Sequence, residues 1–273
     1  MSGINYNLSC LPIQNTKILR IKFMKLLLKP GLMVLALVSA LTSGLVSSVY
    51  ADEAGIKQLK ETLAKRLPPG AQVSVKETPI AGFYEVVSGK EIMYMTKDIG
   101  YFFDGDLIDM KTRENLTDTA RDVIHLDLLN NLGEKNMLVY TPKDEVKHTI
   151  TVFTDVDCYY CQKLHKEMAD YMNNGVKVRY IFVPFKGQKS MATSVSVWCA
   201  KDRTKAMDIA KSGGMVEAKT CDNPINKHKM LATDLGIRGT PGIMLESGEL
   251  IGGYVPSDKL LKMLNSVNTA KLN

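Results

Sequence analysis

Two cysteines separated by two residues, Cys158 and Cys161, are the clearest candidates for chemistry in this sequence. An apolar, β-branched run that begins at His148 leads directly into them, and a helix-forming stretch follows. This context predicts that Cys158 lies at a helix N-terminus, where unpaired backbone N–H groups and the helix dipole stabilise a thiolate. Cys161, one helical turn further on, is placed to close a disulfide or to resolve a mixed one. The pattern predicts a redox-active dithiol with Cys158 as the nucleophile.

A zinc site is the alternative interpretation of this motif. Its ligands would be Cys158, Cys161 and His165, because His165 lies one turn beyond Cys161. The sequence has no second C-x-x-C and no H-x-x-x-H motif to complete such a ligand set. The strand before the motif also favours redox chemistry. We therefore expect no metal and no cofactor, and we expect His165 to be a polar neighbour of the dithiol.

Residues 1–51 have the layout of a secretory signal peptide with an upstream leader. Five basic residues precede an apolar run from Leu32 to Val38, and Asp52 follows the expected cleavage position. Met24 begins a shorter leader of the same layout, so it is an alternative start. The apolar run is short for a membrane span of about 20 residues, which disfavours the alternative of an uncleaved anchor.

Removal of the leader changes the interpretation of charge and cysteine content. The leader holds five of the 35 basic residues and none of the 29 acidic ones, so the mature chain has a formal net charge of about +1. This balance does not indicate a nucleic-acid partner. The leader also contains Cys10, which leaves four cysteines in the exported chain.

An even number of cysteines in an oxidising compartment predicts two pairs. If Cys158 pairs with Cys161, then Cys199 pairs with Cys221. That second disulfide would close a loop of about 22 residues and stabilise the fold by about 3 kcal/mol on the chain-entropy model. The alternative is that Cys199 and Cys221 are buried free thiols.

The first part of the mature chain, residues 52–112, has the pattern of a small α+β domain. Apolar residues at helical spacing predict a helix over 56–67, ended by two prolines and a glycine. Five short β-rich runs separated by turn signals follow, at Gln72 to Lys76, Phe83 to Val87, Glu91 to Met95, Tyr101 to Phe103 and Leu107 to Met110. One helix on such a sheet is a thin core, so we expect this domain to gain burial by homodimerisation.

A linker at 113–134 joins it to a larger α/β domain at 135–273. The linker contains a predicted helix over 117–132, with Gly133 as its stop. The larger domain has the pattern of a βαβ unit, a helical insert and a ββα unit. Its strands are predicted at 137–140, 149–153, 176–183, 243–245 and 250–254, its C-x-x-C helix at 159–173, its helical insert at about 188–235 and its closing helix from Ser257.

This order of elements resembles the thioredoxin fold with a helical insertion. Over the mature chain, the sequence resembles the bacterial periplasmic disulfide isomerases of the DsbC and DsbG family. The resemblance rests on the leader, the small N-terminal domain, the linker helix, the run Phe153 to His165 around the C-x-x-C motif, and Gly-Thr-Pro-Gly at 239–242. A second cysteine pair inside the insert is a further match.

The resemblance implies a cystatin-like N-terminal dimerisation domain, a V-shaped homodimer and a cleft for misfolded exported proteins. It implies that Cys158 attacks wrongly paired disulfides and that Cys161 resolves stalled intermediates. Pro241 matches the family's cis-proline, which leaves the backbone of Thr240 free to pair with an extended substrate. Thr240 is also expected to tune the thiols. A membrane reductase of the DsbD kind is the implied redox partner, and the periplasm is the implied location.

The residues around the dithiol depart from the family pattern in one respect and carry one further hypothesis. Tyr159 and Tyr160 replace the family's Gly-Tyr or Pro-Tyr, so a bulkier first residue is expected to affect substrate binding and redox potential. Asp157 directly precedes Cys158, and its negative charge is expected to oppose the thiolate and raise the Cys158 pKa.

The sequence therefore predicts an isomerase or reductase of wrongly paired disulfides. A dithiol oxidase is one alternative, disfavoured by the N-terminal dimerisation domain. A disulfide-independent holdase chaperone is the other, and it is compatible with the enzymatic function. Met93, Met95 and Met110 are interpreted as core residues, with an adaptable peptide-binding surface as their alternative role.

Overall fold

The computed structural model describes residues 52–270, with side chains described for residues 52–266. The predicted signal peptide, the alternative start at Met24 and Cys10 lie outside the described residues. Within the described range, none of the helices combines the length and apolar character that crossing a bilayer requires.

The N-terminal region packs one helix on a four-stranded antiparallel sheet. Helix α1 (Glu53–Ala64) begins earlier than predicted because the Asp52 carboxylate accepts a hydrogen bond from the Gly55 N–H at 2.9 Å and so caps it. The sheet has the order β1-β2-β3-β4, and its strands are β1 (Val73–Glu77), β2 (Phe83–Ser88), β3 (Glu91–Thr96) and β4 (Phe102–Phe103). Its core is small and contains Leu59, Leu63, Val75, Tyr84, Val86 and Met95.

The predicted fifth strand at Leu107 to Met110 is wrong. The structure has only an isolated bridge between Ile108 and Asn115 there. The chain turns back at once because the Asp109 carboxylate accepts from the Lys111 N–H at 2.7 Å and Arg113 takes a positive φ of 64°. Met110, which was expected in the core, is 83% exposed.

A long helix, α2 (Leu116–Leu132), joins the two regions. Asn115 caps its start by accepting from the amides of Thr117 and Asp118, and Gly133 ends it as predicted, with a φ of 75°. Thr117 hydrogen-bonds the Tyr94 hydroxyl of the small sheet at 2.5 Å. Leu129, at the other end of α2, packs into the core of the larger domain, so the helix contacts both.

The larger domain contains a five-stranded mixed sheet in the order β5-β7-β6-β8-β9. Its strands are β5 (Leu138–Tyr140), β6 (His148–Thr154), β7 (Val176–Phe182), β8 (Gly242–Met244) and β9 (Leu250–Gly252). The central pair, β6 and β7, is parallel and the other pairs are antiparallel. Alternate residues of β6 enter different cores, since Ile150 and Val152 pack on one face and Phe153 on the other. This strand leads into the cysteine motif.

The helices of this domain differ from the prediction in two places. The C-x-x-C helix is broken at Glu167 into α3 (Tyr159–Lys166) and α4 (Met168–Asn173). The break lets the Glu167 carboxylate accept from the Tyr254 hydroxyl and the Ser257 N–H, which anchors the closing helix α8 (Ser257–Ala270). The insert is not continuously helical, because residues 212–224 form a loop that contains consecutive glycines. Its helices are α5 (Gln188–Trp198), α6 (Arg203–Lys211) and α7 (Ile225–Asp234).

Candidate functional site

The turn after β6 places both motif cysteines at the start of α3. Asp155 shapes the turn, because its buried carboxylate accepts hydrogen bonds from the amides of Asp157 at 2.9 Å and Lys186 at 2.8 Å. Cys158 is the N-cap residue of α3 and Cys161 lies within its first turn. Both thiols are free, so the structure describes the dithiol form. Cys158 is 7% exposed and Cys161 is 1% exposed, which makes Cys158 the outer thiol.

Cys158 lies against the loop that carries Thr240. Its thiol donates to the Thr240 carbonyl oxygen at 3.2 Å. Burial alone raises the pKa of Cys158, but hydrogen bonds from the Thr240 side chain and from the amides of Cys161 and Tyr160 outweigh it and lower the pKa overall. The Thr240 carbonyl oxygen thus accepts a hydrogen bond from Cys158 in its thiol form, and the surrounding hydrogen-bond donors stabilise Cys158 in its thiolate form. A lowered pKa increases the nucleophilic fraction at neutral pH.

Cys161 has the opposite character. Burial raises its pKa, and the Lys211 charge and hydrogen bonds from Thr154 and Asp155 only partly oppose this effect. Hydrogen bonding thus favours the thiolate at the outer cysteine, whereas burial favours the thiol at the inner one. Such a difference suits a pair in which one cysteine attacks a disulfide and the other resolves the intermediate.

The structure brings the other predicted site residues to the same surface. The peptide bond between Thr240 and Pro241 is cis, in the loop that contacts Cys158. Tyr159 is 70% exposed and Tyr160 is 55% exposed, so both side chains are available to a partner beside the dithiol. The Tyr160 ring also stacks on Tyr254 at a centroid distance of 6.4 Å.

A cavity of about 850 Å³ opens beside Thr240 and Pro241 and extends to α2. On the α2 side, burial, followed by the charges of Glu249 and Asp118, raises the pKa of Asp122 to about 6. Burial lowers the pKa of the neighbouring His125, whose Nδ1 hydrogen-bonds the Gly248 carbonyl at 3.0 Å. At neutral pH the His125 imidazole is therefore uncharged, and it forms no ion pair with Asp122, whose carboxylate oxygen lies 3.9 Å from Nδ1.

His165 does not point its ring nitrogens at the cysteines. Its Nδ1 hydrogen-bonds the Tyr180 hydroxyl and its Nε2 hydrogen-bonds Asp208, both at 3.0 Å. Burial lowers the pKa of His165, although Asp208 opposes this effect. In residues 52–270 there is no group of three His, Cys, Asp or Glu side chains arranged to hold a metal ion. The histidine thus contributes to a buried network behind the dithiol.

Cys199 and Cys221 form a disulfide in this structure, with their Cα atoms 5.7 Å apart. Cys199 follows α5 and Cys221 lies in the loop at 212–224, so the bond ties that loop to the end of the helix.

The sequence interpretation missed Lys211, the last residue of α6. Lys211 is 2% exposed and its Nζ lies beneath the dithiol, where it donates to the Thr154 hydroxyl and to the Asp155 carbonyl, each at 2.7 Å. A lysine on a predicted helix is ordinarily a solvated residue. Nothing in its local sequence distinguishes it from the surrounding lysines.

The hypothesis that Asp157 raises the Cys158 pKa stays a prediction. We expect Asp157→Asn to lower that pKa, because the substitution removes a negative charge beside the thiolate. The measurement is a pH titration of thiolate absorbance in a Cys161→Ala background, so that a single active-site thiol titrates. Asp144→Asn, at an exposed position before β6, serves as the control. An unchanged or higher Cys158 pKa in Asp157→Asn would refute the hypothesis.

The fold and the dithiol together define a class of protein, the thioredoxin-fold thiol:disulfide oxidoreductases. Family models agree with this assignment. A model described as a thioredoxin-like domain matches residues 135–268, and a model described as the N-terminal domain of disulfide bond isomerase proteins matches residues 47–118. The predicted fold class, a small N-terminal α+β domain joined to a thioredoxin fold with a helical insertion, is confirmed.

Relatives along most of the chain narrow the assignment to one family. The thiol:disulfide interchange protein DsbC of Salmonella typhimurium is 39% identical over 230 residues, which cover 83% of this chain and 92% of the relative. The DsbC proteins of Escherichia coli K12 and Dickeya dadantii are each 38% identical, over 87% and 84% of this chain and 96% and 94% of their own lengths. The chain belongs to the DsbC family of thiol:disulfide interchange proteins, and the predicted resemblance is confirmed.

Proposed function

We propose that this protein isomerises or reduces wrongly paired disulfides in exported proteins, with Cys158 as the nucleophile and Cys161 as the resolving cysteine. The observation that carries the proposal is the asymmetry of the dithiol, in which hydrogen bonding lowers the pKa of the outer Cys158 while burial raises the pKa of Cys161.

The proposed reaction begins when the Cys158 thiolate attacks one sulfur of a substrate disulfide. The new bond joins Cys158 to the substrate, and the other substrate sulfur leaves as a thiolate that takes a proton from solvent. In isomerisation, a substrate thiolate then attacks the mixed disulfide and regenerates the Cys158 thiolate. In reduction, Cys161 attacks Cys158 instead, and the dithiol becomes a disulfide.

The surface around Cys158 supports binding of unfolded chains. Tyr159, Tyr160 and Phe185 are each more than half exposed. A cavity also opens beside Thr240, whose carbonyl oxygen accepts from the Cys158 thiol. Aromatic side chains offer large contact areas without demanding a particular sequence. The same surface favours the second candidate function, a holdase that binds unfolded chains without disulfide exchange.

We further propose a homodimer in the periplasm, joined through the N-terminal domains. Support comes from β4, an edge strand whose Phe102 and Phe103 are 60% and 46% exposed, and from Tyr101 beside it, which is 75% exposed. An exposed edge strand with aromatic side chains, in a domain with a small core, is suited to burial against a second copy of the same chain. Light scattering that gives the mass of a monomer would contradict this assembly.

An isomerase also needs its dithiol to be kept reduced, so a membrane reductase of the DsbD kind is the proposed electron donor. Each reductive turnover leaves Cys158 and Cys161 as a disulfide, and two electrons must return before the next one.

The test is reactivation of scrambled, wrongly disulfide-bonded ribonuclease by the processed protein with a small amount of reductant. We expect activity to return faster than in buffer with the same reductant. A parallel assay starts from fully reduced ribonuclease and oxidised protein, and a third follows aggregation of a cysteine-free client. Activity confined to the second assay would establish an oxidase, and activity confined to the third would establish a holdase.

A further inference from the structure

Lys211 occupies a position that is unfavourable for a lysine. It is among the largest fully buried side chains, at 2% exposure, and it lies at the end of α6 where this helix packs against α3. Within residues 52–266, no carboxylate oxygen lies within 4.0 Å of its Nζ. Burial of an ammonium group without such a partner costs free energy that an apolar residue of similar length avoids. Buried charged residues without a charged partner, which folding stability disfavours, are expected at functional sites.

The two hydrogen bonds of Lys211 connect it to the inner cysteine. Its Nζ donates to the Thr154 hydroxyl and to the Asp155 carbonyl, each at 2.7 Å. Hydrogen bonding to the Thr154 hydroxyl and the Asp155 amide opposes the rise in the Cys161 pKa, so both groups are neighbours of the inner sulfur. A hydroxyl oxygen that accepts from an ammonium group has its own proton free for a second acceptor. Thr154 thus bridges the lysine and the sulfur.

The electrostatics agree with this geometry. Burial lowers the pKa of Lys211 to about 8, against the opposing effect of Cys161 and other neighbours, so a fraction of the amine is neutral near physiological pH. The groups that face Lys211 are Cys161, Cys158, Asp155 and Asp157 on the C-x-x-C side, His165 on α3, and the Tyr180 ring of β7 at 6.0 Å. A lysine and a thiol that interact in this way titrate as a pair.

We propose that Lys211 is a positioning residue for the resolving step: acting through the Thr154 hydroxyl, it takes up the proton of Cys161 and holds the resulting thiolate for attack on the mixed disulfide. The inference rests on the proposed roles of Cys158 and Cys161. It adds a buried proton acceptor to the reaction, on an element outside the C-x-x-C helix.

The step balances in protons and electrons. Neutral Lys211 receives the Thr154 hydroxyl proton while Thr154 receives the Cys161 proton, which leaves an ammonium and a thiolate. Cys161 Sγ then forms a bond to Cys158 Sγ, and the bond between Cys158 and the substrate sulfur breaks. The substrate sulfur leaves with the electron pair and takes a proton from solvent. The dithiol has lost two electrons and the substrate has gained them.

The first test measures Cys161 without any turnover. In a Cys158→Ala background, the rate at which iodoacetamide alkylates Cys161 is followed from about pH 6 to about pH 10, which spans the thiol titration. We expect Lys211→Met to move the midpoint of this profile to higher pH and to slow alkylation at pH 8 by about tenfold, since one pKa unit corresponds to a factor of ten. Identical profiles before and after the Lys211→Met substitution would overturn the proposal.

Two further variants separate charge from proton uptake. Lys211→Arg keeps a positive charge but cannot accept a proton, so we expect it to retain the lower midpoint while resolving a preformed mixed disulfide more slowly than the wild type. Resolution at the wild-type rate in Lys211→Arg would overturn the proton-acceptor role. Thr154→Val removes the bridge and is expected to raise the midpoint like Lys211→Met. It supplies the same test if Lys211→Met fails to fold.

The outcomes also separate this inference from the proposed function. If the wild type fails to reactivate scrambled ribonuclease while Lys211→Met still shifts the alkylation profile, the proposed function fails and the coupling of Lys211 to Cys161 remains. If reactivation is normal and the profiles coincide, the inference alone fails.

Discussion

Replacement of Cys158 by alanine is expected to lower the rate of scrambled-ribonuclease reactivation by at least about a hundredfold, to the rate in buffer. The reason is the asymmetry of the dithiol. Hydrogen bonds from Thr240 and the α3 amides lower the pKa of Cys158 in spite of burial, whereas burial raises the pKa of Cys161, which is 1% exposed. In Cys158→Ala, the remaining thiol is therefore mostly protonated and too buried for ready attack on a protein disulfide.

Cys161→Ala is the matched variant, because it removes the other sulfur of the same motif. It leaves the proposed nucleophile in place, so we expect it to keep measurable isomerisation but to accumulate a mixed disulfide with its substrate, visible on a non-reducing gel. Retention of reactivation by Cys158→Ala together with its loss in Cys161→Ala would reverse the assigned roles. Retention by both variants would remove the dithiol from the mechanism.

The dithiol was predictable from the sequence because its determinants are local. An apolar strand, two cysteines at a spacing of three and a following helix are contiguous, so the order of β6 and α3 alone indicates that Cys158 lies at a helix N-terminus. The pairing of Cys199 with Cys221 followed from the even number of cysteines together with the assumption that Cys158 pairs with Cys161.

The errors in the prediction arose where tertiary contacts override local pattern. The C-x-x-C helix is broken at Glu167, whose carboxylate accepts hydrogen bonds from the Tyr254 hydroxyl and the Ser257 N–H, 87 and 90 residues further along the chain. The alternating run at Leu107 to Met110 is β-rich, yet the Asp109 turn folds it back toward Asn115 before a strand can form. Periodicity carries no information about either contact.

Lys211 was missed for the same physical reason. It follows Cys158 by more than fifty positions, and its helix has the pattern of an ordinary amphipathic segment with a terminal lysine. Only the packing of α6 against α3 brings its Nζ to Thr154 and Asp155. The contacts of Lys211 therefore depend on residues far apart in the sequence, whereas the C-x-x-C motif and its flanking elements are contiguous.

Removal of the second disulfide is expected to have the largest effect on stability. The Cys199 to Cys221 bond spans 22 positions and holds the loop at 212–224, which has no regular secondary structure. The loop is also held by a hydrogen bond from the Lys219 N–H to the Ser196 hydroxyl at 3.2 Å and by packing of Val216 against the core. We expect Cys199→Ser combined with Cys221→Ser to lower the free energy of unfolding by about 3 kcal/mol.

That loss corresponds to a fall of about 6–12 °C in the midpoint of thermal unfolding for a chain of this size, which calorimetry measures directly.

The double substitution is preferable to a single one because it leaves no unpaired thiol to exchange with Cys158. Cys158→Ala combined with Cys161→Ala is the control, since it also removes two cysteines but breaks no bond in the dithiol form. A shift in the control as large as in the Cys199 and Cys221 variant would show that loss of cysteine packing, and not loss of the cross-link, destabilises the fold. A shift confined to the Cys199 and Cys221 variant would assign the stabilisation to the loop that this disulfide closes. One cysteine pair of this domain would then serve chemistry, and the other would hold the insert in place.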